Sequence, residues 1–295
     1  MDCLKGTIQV KKPSGLNKLI ENRKWFKLVA LNLIFKFSNP QIFKFKMKQI
    51  SIQYRKLGIN LTINTTLPER WSELTAEQLI AVAKNHSVGI SEMVLLATML
   101  GVKQNIAEKL TDYQRYSIAV ELEFMQDFKP LYLFMIPSIK GLNAPRPRLE
   151  GMSFAQFMYV DTYFEVSVLT EDNSQLAKFI GCLYLPDGKP FDEKLIQERA
   201  EYVSLFFRPE EKTAISLNYR LVKEWLCNQY PLLFQAPEPD VPVAEHVEAS
   251  RRSDWVKVYE SLVGDDIVNQ DKYAELPLHT VFRYLTTKIK ENARR

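Results

Sequence analysis

Residues 174–234 contain three consecutive helical patterns joined by short turns, and no other part of the sequence constrains the fold as strongly. In residues 174–184 the apolar side chains recur at intervals of three and four, which is typical of a helix buried along one face. The segment LPDGKP that follows has the proline and glycine of a tight turn. Amphipathic helices this close in sequence need one another for burial, so they predict a helical core.

The second and third of these helices are separated by Arg208-Pro209. The second ends there, because the residue before a proline is disfavoured in the α region, and Pro209 is the first residue of the third, which extends to Tyr230. The spacing predicts four inward side chains on the second helix, namely Leu195, Tyr202, Leu205 and Phe206. The third helix is predicted to bury Ala214, Leu217, Leu221, Val222 and Trp225.

Alternating apolar and polar residues upstream of these helices predict a β-hairpin over residues 49–66. Ile50, Ile52 and Tyr54 share one face of its first strand. A two-stranded hairpin is only marginally stable in water, so we expect it to pack against the helices.

Four further helical patterns complete a body that spans residues 47–235. The first follows Thr75-x-x-Gln78, which has the form of a capping box. The others are predicted at residues 90–100, 111–126 and 154–166. Residues 130–139 have a strand-like composition, but Pro137 confines them to an edge or a short strand. The predicted class is α+β, mostly α, with the hairpin and a short extra strand region packed on a multi-helix body.

The region after the body divides into a predicted linker and a small helical unit. Residues 236–253 contain three prolines, several acidic residues and no apolar period, which is typical of a linker. Residues 254–295 predict a tethered helical hairpin that is too short for a large core, so it either packs back or binds a partner. The candidate partner-binding residues are Trp255, Tyr259, Leu278, Phe282 and Leu285.

The first 46 residues hold ten Lys and Arg against two acidic residues, a charge of +8 within a chain whose total is +4. The remainder is therefore net acidic, and it gives no charge-based reason to expect nucleic acid. The longest apolar run near the N-terminus, residues 28–35, is shorter than the about 20 residues of a membrane span. Because clean alternation begins directly after Met47, we interpret residues 1–46 as a disordered or non-native extension and Met47 as the native start.

The sequence contains no recognisable constellation for catalysis, cofactor binding or metal ligation. Cys3, Cys182 and Cys227 are isolated and lack CxxC spacing, so neither a disulfide framework nor a zinc cluster is predicted. The two later cysteines fall on apolar helix faces and are interpreted as small core residues. A deep polar cleft would contradict the absence of a chemical site if it brought together Asp161, His86 and Arg148.

Several segments between residues 67 and 295 together resemble uncharacterised tail-region proteins of tailed phages and prophages, similar in style to tail assembly chaperones. These segments are LPERWSELTAEQL, RLEGMSFAQFMYVDTYF, GCLYLPDGKPFDE, RAEYVSLFFRP, NQYPLLF and ELPLHTVFRYLTTKIKENARR. The resemblance implies a non-enzymatic assembly or virion protein that acts through helix–groove contacts, and it carries over no catalytic or binding residue.

Two functional hypotheses of different class remain open. The first is a phage or prophage assembly or structural protein that binds a phage structural protein, in the cytoplasm of the bacterial host or in the virion. The alternative is a nucleic-acid-associated regulatory protein that uses the basic N-terminus, Arg146, Arg148 and the C-terminal Lys and Arg residues. Steep salt dependence of nucleic-acid affinity would favour the alternative.

Overall fold

The computed structural model describes residues 48–56, 59–234 and 255–294. The described chain is mostly helical, with two small antiparallel sheets, which confirms the predicted α+β, mostly α, class. The extension predicted for residues 1–46, the proposed start at Met47 and the linker predicted for residues 236–253 lie outside the described residues.

The N-terminal hairpin is formed as predicted and lies on the helices. Its strands, β1 (Lys48–Lys56) and β2 (Ile59–Leu67), pair in antiparallel register. Ile52 is buried between exposed neighbours, as the alternation requires. The Thr65 hydroxyl donates a hydrogen bond to the carbonyl of Leu100, so side-chain contacts supply the support that an isolated hairpin lacks.

Four helices follow the hairpin, and two of them begin with a complete capping box. They are α1 (Ala76–Ser87), α2 (Glu92–Leu100), α3 (Gln104–Ala107) and α4 (Asp112–Glu121). At α1 the Thr75 hydroxyl accepts a hydrogen bond from the Gln78 N–H at 3.2 Å, and the Gln78 amide oxygen accepts one from the Thr75 N–H at 2.8 Å. Thr111 and Gln114 repeat this arrangement at α4. These helices therefore start where local sequence satisfies their first N–H groups.

Residues 127–153 connect the N-terminal helices to the core, and their strands are shorter than their composition suggests. A three-stranded antiparallel sheet contains β3 (Ser138–Ile139), β4 (Leu142–Asn143) and β5 (Leu185–Pro186). Residues 131–136 are mostly buried but have no regular secondary structure, because a side chain forms hydrogen bonds with their backbone groups. The buried Asn218 amide accepts a hydrogen bond from the Met135 N–H at 2.7 Å and donates one to the Leu133 carbonyl at 3.3 Å.

The core is built on four helices between residues 154 and 229. Its helices are α5 (Phe154–Thr170), α6 (Asn173–Leu183), α7 (Ile196–Phe206) and α8 (Pro209–Gln229). Helix α6 packs against both α5 and α7, and α1 packs along α8. Gly181 allows α6 and α7 to approach closely, since a Cβ there would lie 3.0 Å from the Cβ of Arg199 and 3.2 Å from the backbone N of Ala200.

The predicted inward face of α7 is wrong. The side chains expected inside, Leu195, Tyr202, Leu205 and Phe206, are exposed. The buried side chains are Ile196, Arg199, Ala200, Val203 and Phe207. This second set also recurs at helical spacing, but its central arginine obscures the pattern in the sequence. The Cβ of Arg199 and the backbone N of Ala200 lie closest to Gly181, so this side of α7 faces α6.

A fully buried carboxylate, that of Asp161 on α5, lies within the core. One of its oxygens is 2.7 Å from the Lys223 ammonium and accepts a hydrogen bond from the Tyr219 hydroxyl at 3.1 Å. The other oxygen accepts a hydrogen bond from the Trp255 indole N–H at 2.8 Å. Lys223 also lies 2.8 Å from Glu165. A buried carboxylate is costly unless it is paired and hydrogen-bonded, so these contacts fix α5, α8 and Trp255 relative to one another.

The C-terminal helices pack back onto the body, which is one of the two outcomes predicted for them. Together with the preceding turn, they are α9 (Pro231–Phe234), α10 (Trp255–Val263), α11 (Gln270–Glu275) and α12 (Leu278–Asn292). Their attachment includes backbone hydrogen bonds from the Phe154 N–H to the Leu276 carbonyl at 2.8 Å and from the Leu278 N–H to the Met152 carbonyl at 3.0 Å. The ring of Phe282 stacks on that of Trp255 at 5.5 Å.

We expect Asp161→Asn to lower the free energy of unfolding by about 3 kcal/mol, because it leaves the Lys223 ammonium with Glu165 as its remaining charged partner in a desolvated site. Urea denaturation followed by circular dichroism measures this change. Glu121→Gln, which removes an exposed ion pair with Lys48, should cost less than about 1 kcal/mol. An equal loss of unfolding free energy in the two variants would show that the buried Asp161 contributes no more to stability than an exposed ion pair does.

We expect Phe282→Ala to lower the free energy of unfolding by about 3–5 kcal/mol, the usual cost of deleting a buried aromatic ring. Tyr284→Ala, two residues along the same helix at a position that is 45% exposed, should cost less than about 1 kcal/mol. The comparison distinguishes a C-terminal unit that is packed into the core from one that is an independent arm. If the unit were an independent arm, Phe282→Ala would leave the unfolding of the body unchanged.

Candidate functional site

The five residues predicted to bind a partner do not form one exposed surface. Trp255, Leu278 and Phe282 are buried in the chain's own core. Tyr259 and Leu285 are half-buried against it, and the Tyr259 hydroxyl donates a hydrogen bond to the Gln270 carbonyl at 2.6 Å. These side chains pack against one another and against the body, because the C-terminal helices fold back onto it.

An exposed apolar surface lies instead on α7, and we call Leu195, Tyr202, Leu205 and Phe206 the α7 surface. Leu205 is 78% exposed and Phe206 is 55% exposed. The ring centroids of Tyr202 and Phe206 are 4.7 Å apart, so these two side chains are in contact. Isolated exposed leucines are ordinary in proteins, whereas adjacent large apolar side chains on one helix face are typical of a binding surface.

Charged side chains of both signs border the α7 surface, with Lys194 and Arg208 exposed at its two ends. Glu198 and Glu201 are exposed on the same helix, between and beside its apolar side chains. In the described part of the chain neither carboxylate forms an ion pair, although Glu201 accepts a hydrogen bond from the Gln197 amide at 3.0 Å. An apolar row beside two carboxylates that form no ion pair is complementary to an apolar helix that carries basic side chains.

A second candidate site is a polar cleft of about 480 Å³ between α8 and α12. Helix α8 contributes Trp225 and Tyr230, and α12 contributes His279 and Arg283. The loop before α5 contributes Arg148 and Glu150, and Tyr132 completes the wall beneath the Arg148 guanidinium, whose carbon is 5.8 Å from the ring centroid. We call this site the α8–α12 cleft.

The histidine of the α8–α12 cleft is held by two hydrogen bonds that define its tautomer. Its Nε2 lies 2.5 Å from the Arg148 carbonyl oxygen, which can only accept, so Nε2 carries a proton. Its Nδ1 lies 2.8 Å from the Tyr230 hydroxyl and accepts from it when the imidazole is neutral. Burial raises the pKa of Tyr230, while Arg283 opposes this rise, so the phenol keeps its proton at neutral pH. The ring therefore links the Arg148 loop to α8.

The backbone at Arg148 adopts a conformation that L-residues rarely take. Arg148 has φ 62° and Leu149 has φ 58°, so two consecutive non-glycine residues are left-handed. Such a conformation costs free energy and persists where surrounding contacts impose it. Here the Arg148 N–H donates to the Tyr132 carbonyl at 2.5 Å, and its own carbonyl accepts from His279. The contacts on both sides of this residue hold its side chain over the cleft.

The residues whose convergence would have indicated a chemical site are not brought together. Asp161 is enclosed by Tyr219, Lys223 and Trp255, and Arg148 lies in the α8–α12 cleft. His86 is in the last turn of α1, where burial lowers its pKa. The described residues contain no group of three or more His, Cys, Asp or Glu side chains able to hold a metal ion.

The basic residues considered for nucleic-acid binding have different partners. Arg148 lies over the Tyr132 ring. Arg146 is exposed in the same loop but does not line the cleft. The C-terminal basic residues Lys288 and Lys290 are exposed near the end of α12. We therefore find the loop arginines divided between a cleft and open solvent.

Both described cysteines are protonated at neutral pH. Burial raises the pKa of Cys182 from its ordinary value of 9.0 to about 12, against the opposing effect of Arg199 and Lys178. Burial likewise raises the pKa of Cys227 to about 11. A buried thiol that is not ionised is a poor nucleophile, so these side chains act as packing groups here.

Within the described ranges, no helix combines the length and the apolar character that crossing a bilayer requires. Comparison of the chain with protein-family models, with curated proteins and with solved structures finds no match.

Sequence reasoning missed both candidate sites for physical reasons. The α8–α12 cleft joins Arg148 to His279 across 131 residues of sequence, and no local pattern indicates such a contact. The α7 surface was visible as apolar spacing but was assigned to the interior. Gly181 is the available signal, because the absence of a Cβ there allows the backbone of residues 199 and 200 to lie beside it.

We expect the free energy of unfolding to fall as pH rises from about 9 towards about 12, with Cys182 contributing up to about 1.4 kcal/mol per pH unit. Across this range the unfolded thiol loses its proton while the folded one keeps it, so the folded state binds more protons and loses stability as pH rises. Urea denaturation between pH 8 and about pH 10.5, under reducing conditions, measures the slope.

Cys182→Ala should make this alkaline slope shallower, even if the smaller side chain lowers stability at pH 7. Cys227→Ala should reduce the slope by a smaller amount, because the pKa of Cys227 is raised only to about 11. An unchanged slope in Cys182→Ala would contradict the buried, protonated thiol.

Proposed function

We propose that this chain is a non-enzymatic assembly or structural protein, of the tail region of a phage or prophage, that acts through protein contacts. The α7 surface is the observation that carries the protein-binding part of the proposal. The phage context is supported by the sequence segments described above, and it places the protein in the bacterial host cytoplasm or in the assembled particle.

The α7 surface supports binding because its burial would be favourable. Leu205 exposes most of its surface area and Phe206 exposes about half of its surface area. Burying apolar area contributes roughly 25 cal/mol per Å², so docking of these side chains would contribute a few kcal/mol. Aromatic and large aliphatic residues in the centre of a contact often dominate its affinity.

The partner that fits this surface is an amphipathic helix with an apolar face and basic flanks. Its apolar side chains would pack against Leu205, Phe206 and Tyr202, and its Lys or Arg residues would face Glu198 and Glu201. Recognition by apolar anchors at helical spacing is a common mode of peptide binding. The two carboxylates add specificity and an association rate that depends on salt.

We expect the double variant Leu205→Lys/Phe206→Lys to lose its partner while keeping its fold, because both side chains are exposed. The test co-expresses the chain with the products of neighbouring phage tail genes and measures co-purification and affinity. Affinity should fall at least about tenfold, since two buried apolar anchors are each worth more than about 1 kcal/mol. Melting temperatures of the variant and the parent should agree.

The matched control is Val256→Lys/Val268→Lys, which changes two apolar residues that are 64% and 95% exposed on other elements. It should bind as the parent does. Glu198→Lys/Glu201→Lys should also weaken binding, more strongly at low salt. The proposal is wrong if no tail-gene product binds the parent chain, or if the control loses the partner as readily as the α7 variant.

A further inference from the structure

We infer that the α8–α12 cleft binds a small nucleoside phosphate. The inference is independent of the proposed protein contacts, because none of the cleft's residues belongs to the α7 surface. It depends on three kinds of group that the fold places around one cavity: guanidinium groups, aromatic rings and a carboxylate.

The first requirement is an anion. Among the described residues, neither Arg148 nor Arg283 forms an ion pair, although both line the cleft. The Nε of Arg283 donates a hydrogen bond to the His279 carbonyl at 3.1 Å, which fixes the side chain and leaves its terminal nitrogens for a ligand. Guanidinium groups bind phosphate through two parallel hydrogen bonds, so this pair favours a phosphate group.

The second requirement is a planar ring. Trp225, Tyr230 and Tyr132 supply aromatic surface to the same cavity as the arginines. Trp225 is only partly buried, and its contact with the His279 ring is edge-on at 6.3 Å. Aromatic side chains beside basic groups are the usual means of holding a base by stacking while its phosphate is neutralised.

The third requirement is a hydrogen-bond donor on the ligand. Glu150 lines the cleft without an ion-pair partner among the described residues, so a bare anion would meet its repulsion. A ligand that offers an N–H or O–H group to this carboxylate turns the repulsion into a hydrogen bond. A nucleoside phosphate combines the anion, the ring and such donors, namely ribose hydroxyls or an exocyclic amine. A cavity of about 480 Å³ is large enough for it.

The cleft is also organised before any ligand arrives. Arg148 occupies a left-handed conformation, held by the Tyr132 carbonyl on one side and by His279 on the other. Strained backbone of this kind is concentrated at ligand-binding sites, where it places a side chain that a relaxed loop would leave free. A side chain fixed in advance loses less entropy on binding.

The test is isothermal titration calorimetry of the full chain with adenosine monophosphate, adenosine, inorganic phosphate and indole-3-acetate. We expect adenosine monophosphate to bind at least about tenfold more tightly than adenosine or phosphate, because each of these offers only part of the required chemistry. Indole-3-acetate carries a ring and a carboxylate but lacks the phosphate and the ribose, so it should bind more weakly than the nucleotide.

The variants separate the cleft from general basic charge. Arg283→Gln and Arg148→Gly should each weaken adenosine monophosphate binding by about tenfold or more, as expected for the loss of a charge-assisted hydrogen bond. Arg148→Gly should at the same time raise the melting temperature, since glycine adopts a positive φ freely. Arg146→Gln, an exposed arginine two positions away that does not line the cleft, should leave binding within about twofold.

Several outcomes would overturn the inference. The first is that adenosine monophosphate binds no more tightly than adenosine and phosphate, and the second is that indole-3-acetate binds more tightly than the nucleotide. A single-stranded oligonucleotide could bind far more tightly than the mononucleotide, with Arg146→Gln weakening it as much as Arg148→Gly, which would assign an extended basic surface instead of a cleft. None of these results changes the co-purification measured for the α7 surface.

Discussion

The contact on which the rest of the structure depends is the one between Asp161 and its three donors. Its carboxylate is fully buried, so without Lys223, Tyr219 and Trp255 it would be strongly destabilising. With them, a single side chain on α5 joins two distant parts of the chain. Burial raises the pKa of Tyr219 well above 10.0, which keeps its hydroxyl proton available for donation. The pKa of Lys223 is also raised, since the nearby carboxylates outweigh the effect of burial, so the ammonium stays charged. The contact is therefore retained at neutral pH.

This network explains why the C-terminal helices are part of the body. The indole of Trp255 donates to Asp161 and stacks on Phe282, so one side chain connects the buried charge to the aromatic cluster. Phe282 in turn contacts Tyr230 at the end of α8, with the ring centroids 5.2 Å apart. Tyr230 is the residue whose hydroxyl meets His279 in the α8–α12 cleft. The core and the cleft thus share a wall, and the position of α12 is determined before the cleft chemistry is considered.

The parts of the fold that sequence predicted are those fixed by near neighbours. Proline and capping signals placed the start of α8 at Pro209 and the start of α1 after Thr75, since both act within one helical turn. Alternation predicted the hairpin for the same reason. The orientation of α7 brings residues 199 and 200 beside Gly181, and the presence of Arg199 in the buried set obscures this face in the sequence. Trp255 and Asp161 are 94 residues apart, and neither neighbourhood indicates the other. The candidate sites arise from such distant contacts, so sequence patterns alone did not locate them.

The late position of Trp255 in the chain has a consequence for synthesis. A ribosome produces Asp161, Phe157 and Lys223 well before Trp255 and Phe282. For a time the nascent chain therefore contains the Asp161 carboxylate without its indole donor, and the Phe157 ring without the two aromatic rings that pack against it. During that interval the exposed rings resemble those that general folding helpers recognise, and the body cannot reach its final packing. The core around Asp161 therefore cannot be completed until α10 and α12 have emerged.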